Sequence, residues 1–216
     1  MTWRIGDLIV ESIYEQDLLD IDGLIPSSAE YKRRVPWLKP HYMDAADNLI
    51  GVIQAFLVRA ERAVILVDTC VGNDKPRALI EAWHQRRGDF LERLSSIGVA
   101  REDVTHVLCT HMHPDHVGWN TVLENGAWRP TFPRARYLFA ETEFRFWTSE
   151  LQGYADAVGA GPQDPRHASV MDMMAATHAD SVEPLVRAGL VDLVGTTHSI
   201  APGCLSWQRP ATRPVT

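Results

Sequence analysis

The run Val104–Asn120, V-T-H-V-L-C-T-H-M-H-P-D-H-V-G-W-N, constrains this chain more than any other stretch. It places His111, His113, Asp115 and His116 within six residues, directly after the apolar run Val107-Leu108-Cys109. Imidazole and carboxylate are the ligands that zinc and similar divalent metals take. If the chain leaves a strand at Cys109, His111 and His113 point the same way, because alternate residues of an extended segment share a face. Asp115 and His116 then fall on the following turn and approach a second position nearby. That geometry suits two metals held close together and clamping one substrate.

The pattern H-x-H-x-D-H after a strand resembles the hallmark of the metallo-β-lactamase fold superfamily. The continuation Gly118-Trp119-Asn120 is similar to the lactonase and organophosphate-hydrolase-like branch, as is the wording of Trp128–Tyr137, W-R-P-T-F-P-R-A-R-Y. The resemblance implies an α/β fold, a four-layer αβ/βα sandwich with metals at one end of the paired sheets. It also implies zinc as cofactor, two ions in an intact relative, with other divalent metals as alternatives. Carried over by position, His111 and His113 would bind the first metal and Asp115 and His116 the second. Asp68, at the end of the apolar run Val64–Val67, matches a family aspartate that supports a ligand histidine, and Cys70 stands where the family usually has glycine. A supporting carboxylate there makes physical sense, since a ligating imidazole needs its other N–H held. The implied chemistry is hydrolysis of a lactone or ester-type substrate by metal-bound hydroxide, with Asp115 orienting the nucleophile or moving a proton.

With 216 residues and 45% hydrophobic content, the chain suits one domain with a sizeable core. A formal charge of −7 disfavours a general nucleic-acid surface, which needs clustered Lys and Arg. The expected partner is a small-molecule substrate, with neither nucleic acid nor membrane, and oligomeric state is left open. The N-terminal Met1–Asp7 has no apolar signal core and no stretch approaches a membrane span, so a cytoplasmic location is expected. Cys70, Cys109 and Cys204 are too few and too scattered for a disulfide framework.

Alternation predicts a strand over Leu8–Ile13 and a hairpin from Leu49–Val58 and Ala63–Val67. Asp17–Asp47, rich in Pro and charge, reads as a long connection with a short helix over Ser28–Val35, either a cover over the metal mouth that shapes the substrate pocket or a structural excursion over the surface. Pro76 followed by Leu79, Ala82, Trp83 and Arg86 predicts a helix, and Phe90–Ile97 another, ended by Gly98. Strands are expected over Val104–Cys109 and Arg136–Phe139, a hairpin or loop over Asn125–Pro133, and a helix over Glu141–Ser149. Gln152–His167, with its Gly and Pro, reads as a loop that could act as a lid, and Ser169–Ala188 as a helix broken near Pro184. His84 lies among polar neighbours and reads as solvated, and His167, His178 and His198 lack neighbours at ligand spacing.

The last residues do not continue the family pattern, which adds a Thr-Pro-Gly-His-like loop, a bridging aspartate and a final histidine. Arg209–Thr216 reads R-P-A-T-R-P-V-T. Codons for Thr-Pro-Gly-His-Thr-Pro-Gly-His, read one nucleotide late, can encode that string at every position. Gln208 as CAA supplies the missing first nucleotide. The expectation is therefore an incomplete metallo-β-lactamase-like domain over residues 1–203 and a frameshifted or disordered tail over 204–216, with the slip between His198 and Trp207. A catalytically impaired remnant that keeps half of the metal site, and a metal-binding or interaction module, are the alternatives to an active hydrolase.

Overall fold

The computed structural model of the chain describes residues 1–18, 21, 25, 27–160, 165–195, 197–201 and 204–207. Eleven strands are formed among them: β1 Thr2–Ile5, β2 Leu8–Leu18, β3 Gly51–Ala60, β4 Ala63–Val67, β5 His106–Leu108, β6 Thr121–Glu124, β7 Ala127–Pro130, β8 Arg136–Ala140, β9 Val191–Val194, β10 Thr197–Ala201 and β11 Cys204–Trp207. The α-helices are α1 Ser28–Tyr31, α2 Phe90–Ser96, α3 Pro114–Val117, α4 Glu141–Ala160, α5 Pro165–Ser181 and α6 Glu183–Arg187.

Seven strands make the main sheet in the order β1-β2-β3-β4-β5-β8-β9. The first four are antiparallel: short turns at Gly6 and at Glu61-Arg62 can only join neighbours running in opposite directions, and β3 pairs antiparallel with β2 after the long connection that follows Leu18. From β4 onward the pairing is parallel, and each return needs a crossover. The crossover helix between β4 and β5 is α2, while α4, α5 and α6 lie between β8 and β9. One row across the sheet, Leu57, Leu66, Val107 and Tyr137, is wholly buried. It belongs to a core that also contains Phe90 and Leu94 of α2, Trp147 of α4, and Met171 and Met174 of α5. On the opposite face Leu108, Leu138 and Val194 form a smaller cluster, with Val67 and Ile200 of β10 packed against it.

Several expected elements are present with altered bounds. The first strand runs on to Leu18, and β1 pairs with it as an additional edge. The helix over Ser28–Val35 is a single turn followed by a 3-10 turn. Asn125 and Gly126 both adopt positive φ, 51° and 75°, which makes Asn125–Pro133 begin as a tight β6–β7 hairpin.

Two expectations are overturned. The helix from Pro76 to Arg86 does not form, and only Glu81–Trp83 makes a 3-10 turn. The segment instead closes on itself, with Asp74 N donating to Arg86 O (3.0 Å) and Gln85 N to Lys75 O (2.7 Å). Lys75 and Arg77 are thereby turned inward and fully buried, a placement that a surface helix with its polar face in water would not give. Gln152–His167 is helical wherever it is described. Residues up to Ala160 continue α4 and those from Pro165 open α5, while residues 161–164 lie outside the described residues. Leu151 and Tyr154 pack on the core, and the Tyr154 hydroxyl donates to Asp172 Oδ1 (2.8 Å) of α5. That tertiary contact outweighs the modest helix penalty of Gly153.

The tail expected over 204–216 divides. Cys204–Trp207 pairs antiparallel with Thr197–Ala201, whereas Gln208–Thr216 lies outside the described residues.

Candidate metal centre

Ligands of parallel sheets collect beyond the carboxyl ends of the strands. In this fold Asp68 follows the end of β4, the stretch His111–His116 follows β5, and Glu143 follows β8 in the first turn of α4. The three strands are adjacent, so side chains distant in sequence are delivered to one rim.

The β4 and β5 loops are latched backbone to backbone. Thr69 N donates to His116 O (2.8 Å), Gly118 N to Cys70 O (2.8 Å) and Trp119 N to Thr69 O (2.7 Å). Contact is close enough that a Cβ on Gly118 would stand 1.8 Å from Val71 O, so only glycine fits. On the facing loop Asp68, Cys70 and Gly72 all take positive φ (58°, 50° and 80°). Cys70 thus holds a left-handed conformation that suits glycine, and the substitution is accommodated with local strain.

The four motif side chains are brought together. The His111 ring lies 4.6 Å from that of His113 and 3.8 Å from that of His116, centroid to centroid. Asp68 Oδ2 stands 2.9 Å from His116 Nδ1, and His116 Nε2 is 3.3 Å from Asp115 Oδ2. The Asp68 carboxylate also accepts hydrogen bonds from Thr110 N (2.8 Å) and Thr110 Oγ1 (2.8 Å). His116 is therefore held through one ring nitrogen while its other nitrogen faces a second carboxylate.

Charge divides these groups into two kinds. Burial, reinforced by the neighbouring imidazoles of His116 and His113, pushes His111 down to about 4. Burial also lowers His113. Both rings are thereby held in the neutral form near pH 7. For His116 burial acts in the same direction, but hydrogen bonds to Asp115 and Asp68 and the charges of both outweigh it and raise the group to about 10. Burial opposes ionisation of Asp115, yet its hydrogen bond to His116 and the charge there keep it below the usual carboxylate value.

Among the described residues no group of three or more His, Cys, Asp or Glu is arranged so that it could hold a metal ion as it stands. The donors of Asp115 and His116 are engaged with each other. Their chemistry nevertheless fits a borderline divalent ion: two neutral imidazoles, an ionised carboxylate, and His116, held by Asp68 through Nδ1, which would give up its Nε2 proton on binding the ion. His84, by contrast, is exposed and accepts from Arg77 N (3.1 Å), and His178 lies in α5.

Two buried carboxylates absent from the sequence expectations brace the site. Glu15 of β2 accepts from Val71 N (2.8 Å), Gly72 N (3.2 Å) and Trp119 Nε1 (2.7 Å), and pairs with Arg86 (2.8 Å). Glu143 Oε1 accepts from Met112 N (3.1 Å) and Trp147 Nε1 (2.9 Å). Asn120 and Thr69 join the two loops from inside, Thr69 Oγ1 donating to Asn120 Oδ1 (2.9 Å). Glu15 shares the inward-facing register of Ile13 in β2, but Glu11 and Asp17 in the same strand leave it without a distinguishing mark in the sequence.

Residues 50–210 match the family model of the metallo-beta-lactamase superfamily, and the chain belongs to that family. Among curated proteins it is similar to metallo-beta-lactamase domain-containing protein 1 of Mus musculus, 31% identical over 160 residues, which cover 71% of this chain and 54% of that protein. The Xenopus laevis protein of the same name is 59% identical over 73 residues, 34% of this chain and 24% of that one. Among solved structures the fold is similar to the hydrolase AbOPH of the beta lactamase superfamily, with TM-score 0.64 and 20% identity, covering 92% of this chain and 62% of that one. It is also similar to AidC, a dizinc quorum-quenching lactonase in complex with N-hexanoyl-L-homoserine as product, with TM-score 0.57, 20% identity, and coverage of 94% and 63%. The chain thus spans less than two thirds of the length of each of these relatives. No described helix is long and apolar enough to cross a membrane.

Proposed function

We propose that this chain carries the metal-binding half of a zinc-dependent hydrolase acting on a lactone or ester-type small molecule. The observation that supports it most is the line Asp68–His116–Asp115, with the His111 and His113 rings gathered beside it at the carboxyl ends of adjacent parallel strands. In this reading His111 and His113 hold one ion and Asp115 and His116 a second. When bound, divalent metal supplies Lewis acidity towards a carbonyl or phosphoryl oxygen and an activated water. Asp68 fixes the orientation of His116, and Thr110 fixes Asp68. Asp115, ionised and facing the site, can accept a proton as the nucleophile forms. The preference for a lactone rests on the wording His116-Val117-Gly118-Trp119-Asn120, since fold does not choose a substrate. The cytoplasm is the expected location in this reading.

A second reading is favoured by the mutual engagement of Asp115 and His116: a remnant that gathers half of a dinuclear site without turning over substrate. The proposed frame slip between His198 and Trp207 gives that reading a cause. One experiment separates the two. Zinc content after dialysis and hydrolysis of an acyl homoserine lactone are measured on this chain and on a version with the alternative frame restored. Activity confined to the restored version supports the remnant reading of this chain. Equal activity in both removes it, and failure of both to bind zinc removes the metal assignment.

A further inference from the structure

Glu143 is 2% exposed and stands in the first turn of α4, immediately after the strand beside the one that carries the histidines. One of its oxygens, Oε1, receives two hydrogen bonds. The first comes from the amide of Met112, the residue between His111 and His113, at 3.1 Å. The second comes from the Trp147 indole N–H at 2.9 Å. Trp147 is itself buried, and its ring meets the His113 imidazole edge-on at 5.7 Å. The same carboxylate thus fixes the backbone between the two histidines and the indole on which one of them rests.

A buried carboxylate is costly to retain and is normally tied to several donors. An apolar side chain on α4 would fill that space without the desolvation cost. Only an acceptor satisfies Met112 N and Trp147 Nε1 together, and Met112 lies on a loop that has left the ladder of β5. We propose that Glu143 is a positioning residue for the His111–His113 pair, setting the backbone turn through Met112 and the ring plane of His113 through Trp147. The inference rests on the reading that these histidines hold metal, and it adds which residue outside the motif governs their geometry.

The test uses the full chain with four substitutions. Glu143→Ala removes the acceptor, Glu143→Gln keeps an acceptor oxygen without the charge, Trp147→Phe keeps the ring without the N–H, and Leu94→Ala is a core truncation in α2 that controls for stability alone. Zinc affinity is read by chelator competition, and the visible spectrum of the cobalt(II)-substituted chain reports ligand geometry. Glu143→Ala is expected to weaken zinc binding by about 10–100-fold and to shift the cobalt bands. Glu143→Gln should return to within a few-fold of the parent, and Trp147→Phe should fall between. Leu94→Ala should lower the melting temperature with zinc affinity and cobalt spectrum unchanged. Glu143→Ala with the parent's affinity and spectrum overturns the proposal, as does a loss that Leu94→Ala reproduces.

The metal-free chain gives an independent reading through Met112 amide hydrogen exchange and the His113 ring resonances. If the parent takes up no zinc, the metal assignment falls, and Glu143 is judged on these two signals. Faster Met112 exchange with displaced His113 resonances in Glu143→Ala supports positioning, and unchanged signals overturn it.

Discussion

Gly118 and Asp68 show how differently single residues enter this site. Gly118 contributes no side chain, and that is its role: Gly118→Ala would push a methyl group into the Val71 carbonyl. Backbone, unlike a flexible side chain, cannot step aside cheaply, so the variant should lose about 3 kcal/mol or more in urea unfolding. Gly126→Ala is the comparison, with positive φ but nothing within 4 Å of the added atom. It should cost only about 1–2 kcal/mol. Similar losses in the two variants would mean that the loops do not meet as tightly as described. Asp68→Ala acts through chemistry instead, freeing His116 Nδ1 and leaving Thr110 N without its acceptor. Zinc affinity should drop by about 10–100-fold in a competition titration, with Asp68→Asn less affected. An unchanged affinity would remove Asp68 from the site. Legibility follows the same division. The motif residues could be read because they are contiguous, and Asp68 because a strand end precedes it. Glu15 and Glu143 could not, since Glu15 meets Val71 and Trp119 from 56 and 104 residues away, and Glu143 meets Met112 from 31.

Elements were legible where local pattern and tertiary demand agree. The β3–β4 hairpin and α2 satisfy both, their apolar spacing matching the face they bury. Between β4 and α2 the two conflict. Pro76, Leu79 and Trp83 have helical spacing, but Lys75 and Arg77 are drawn inward to Asp180 at the end of α5. Arg77 forms a two-pronged pair with Asp180 (2.7 and 2.9 Å), and Lys75 lies 3.6 Å over the Trp128 ring while donating to Thr121 Oγ1 (2.6 Å). Two cations sharing one carboxylate in a buried space leave a measurable signature. Burial, opposed by Asp180 and aided by Arg77, brings Lys75 from 10.5 down to about 7. Between those values the unfolded chain holds a proton that the folded chain has released, so this group's contribution to stability rises with pH across that window. Below it both states are charged and the burial cost is present in full. Relative to Lys75→Met, the parent should gain up to about 1 kcal/mol per pH unit as the buffer moves from about pH 7 to about pH 9. Parallel urea-unfolding stabilities of parent and variant over that range would contradict the burial of a charged lysine.

At the scale of the molecule, the sheet and its helical layer account for one side of the expected sandwich. On the other side the β10–β11 hairpin meets the sheet through Ile200. Trp3 and Phe56 remain as a tilted ring pair 6.3 Å apart, with Trp3 39% exposed. This is the level at which the frame-slip proposal belongs, because a restored frame would add ligands and chain together. Nucleotide sequence beneath Gln208–Thr216 should read Thr-Pro-Gly-His in the alternative frame, and its absence there would end the proposal. The fold class was readable from one motif because that motif is tied to one architecture. The extent of the second layer was not, since it depends on partners outside the strands that the motif follows.

The latch between the β4 and β5 loops also sets an order of events. Thr69 and His116 are joined at a separation of 47 positions, and Trp119 and Glu15 at 104. Local collapse of the histidine loop cannot create those contacts, because closing such long stretches of chain costs entropy that only the finished parallel pair repays. Anchoring of the His116 backbone by this latch therefore requires that β4 and β5 have paired. Added zinc would be expected to slow unfolding more than it speeds folding, read from the two arms of a urea chevron with and without the metal.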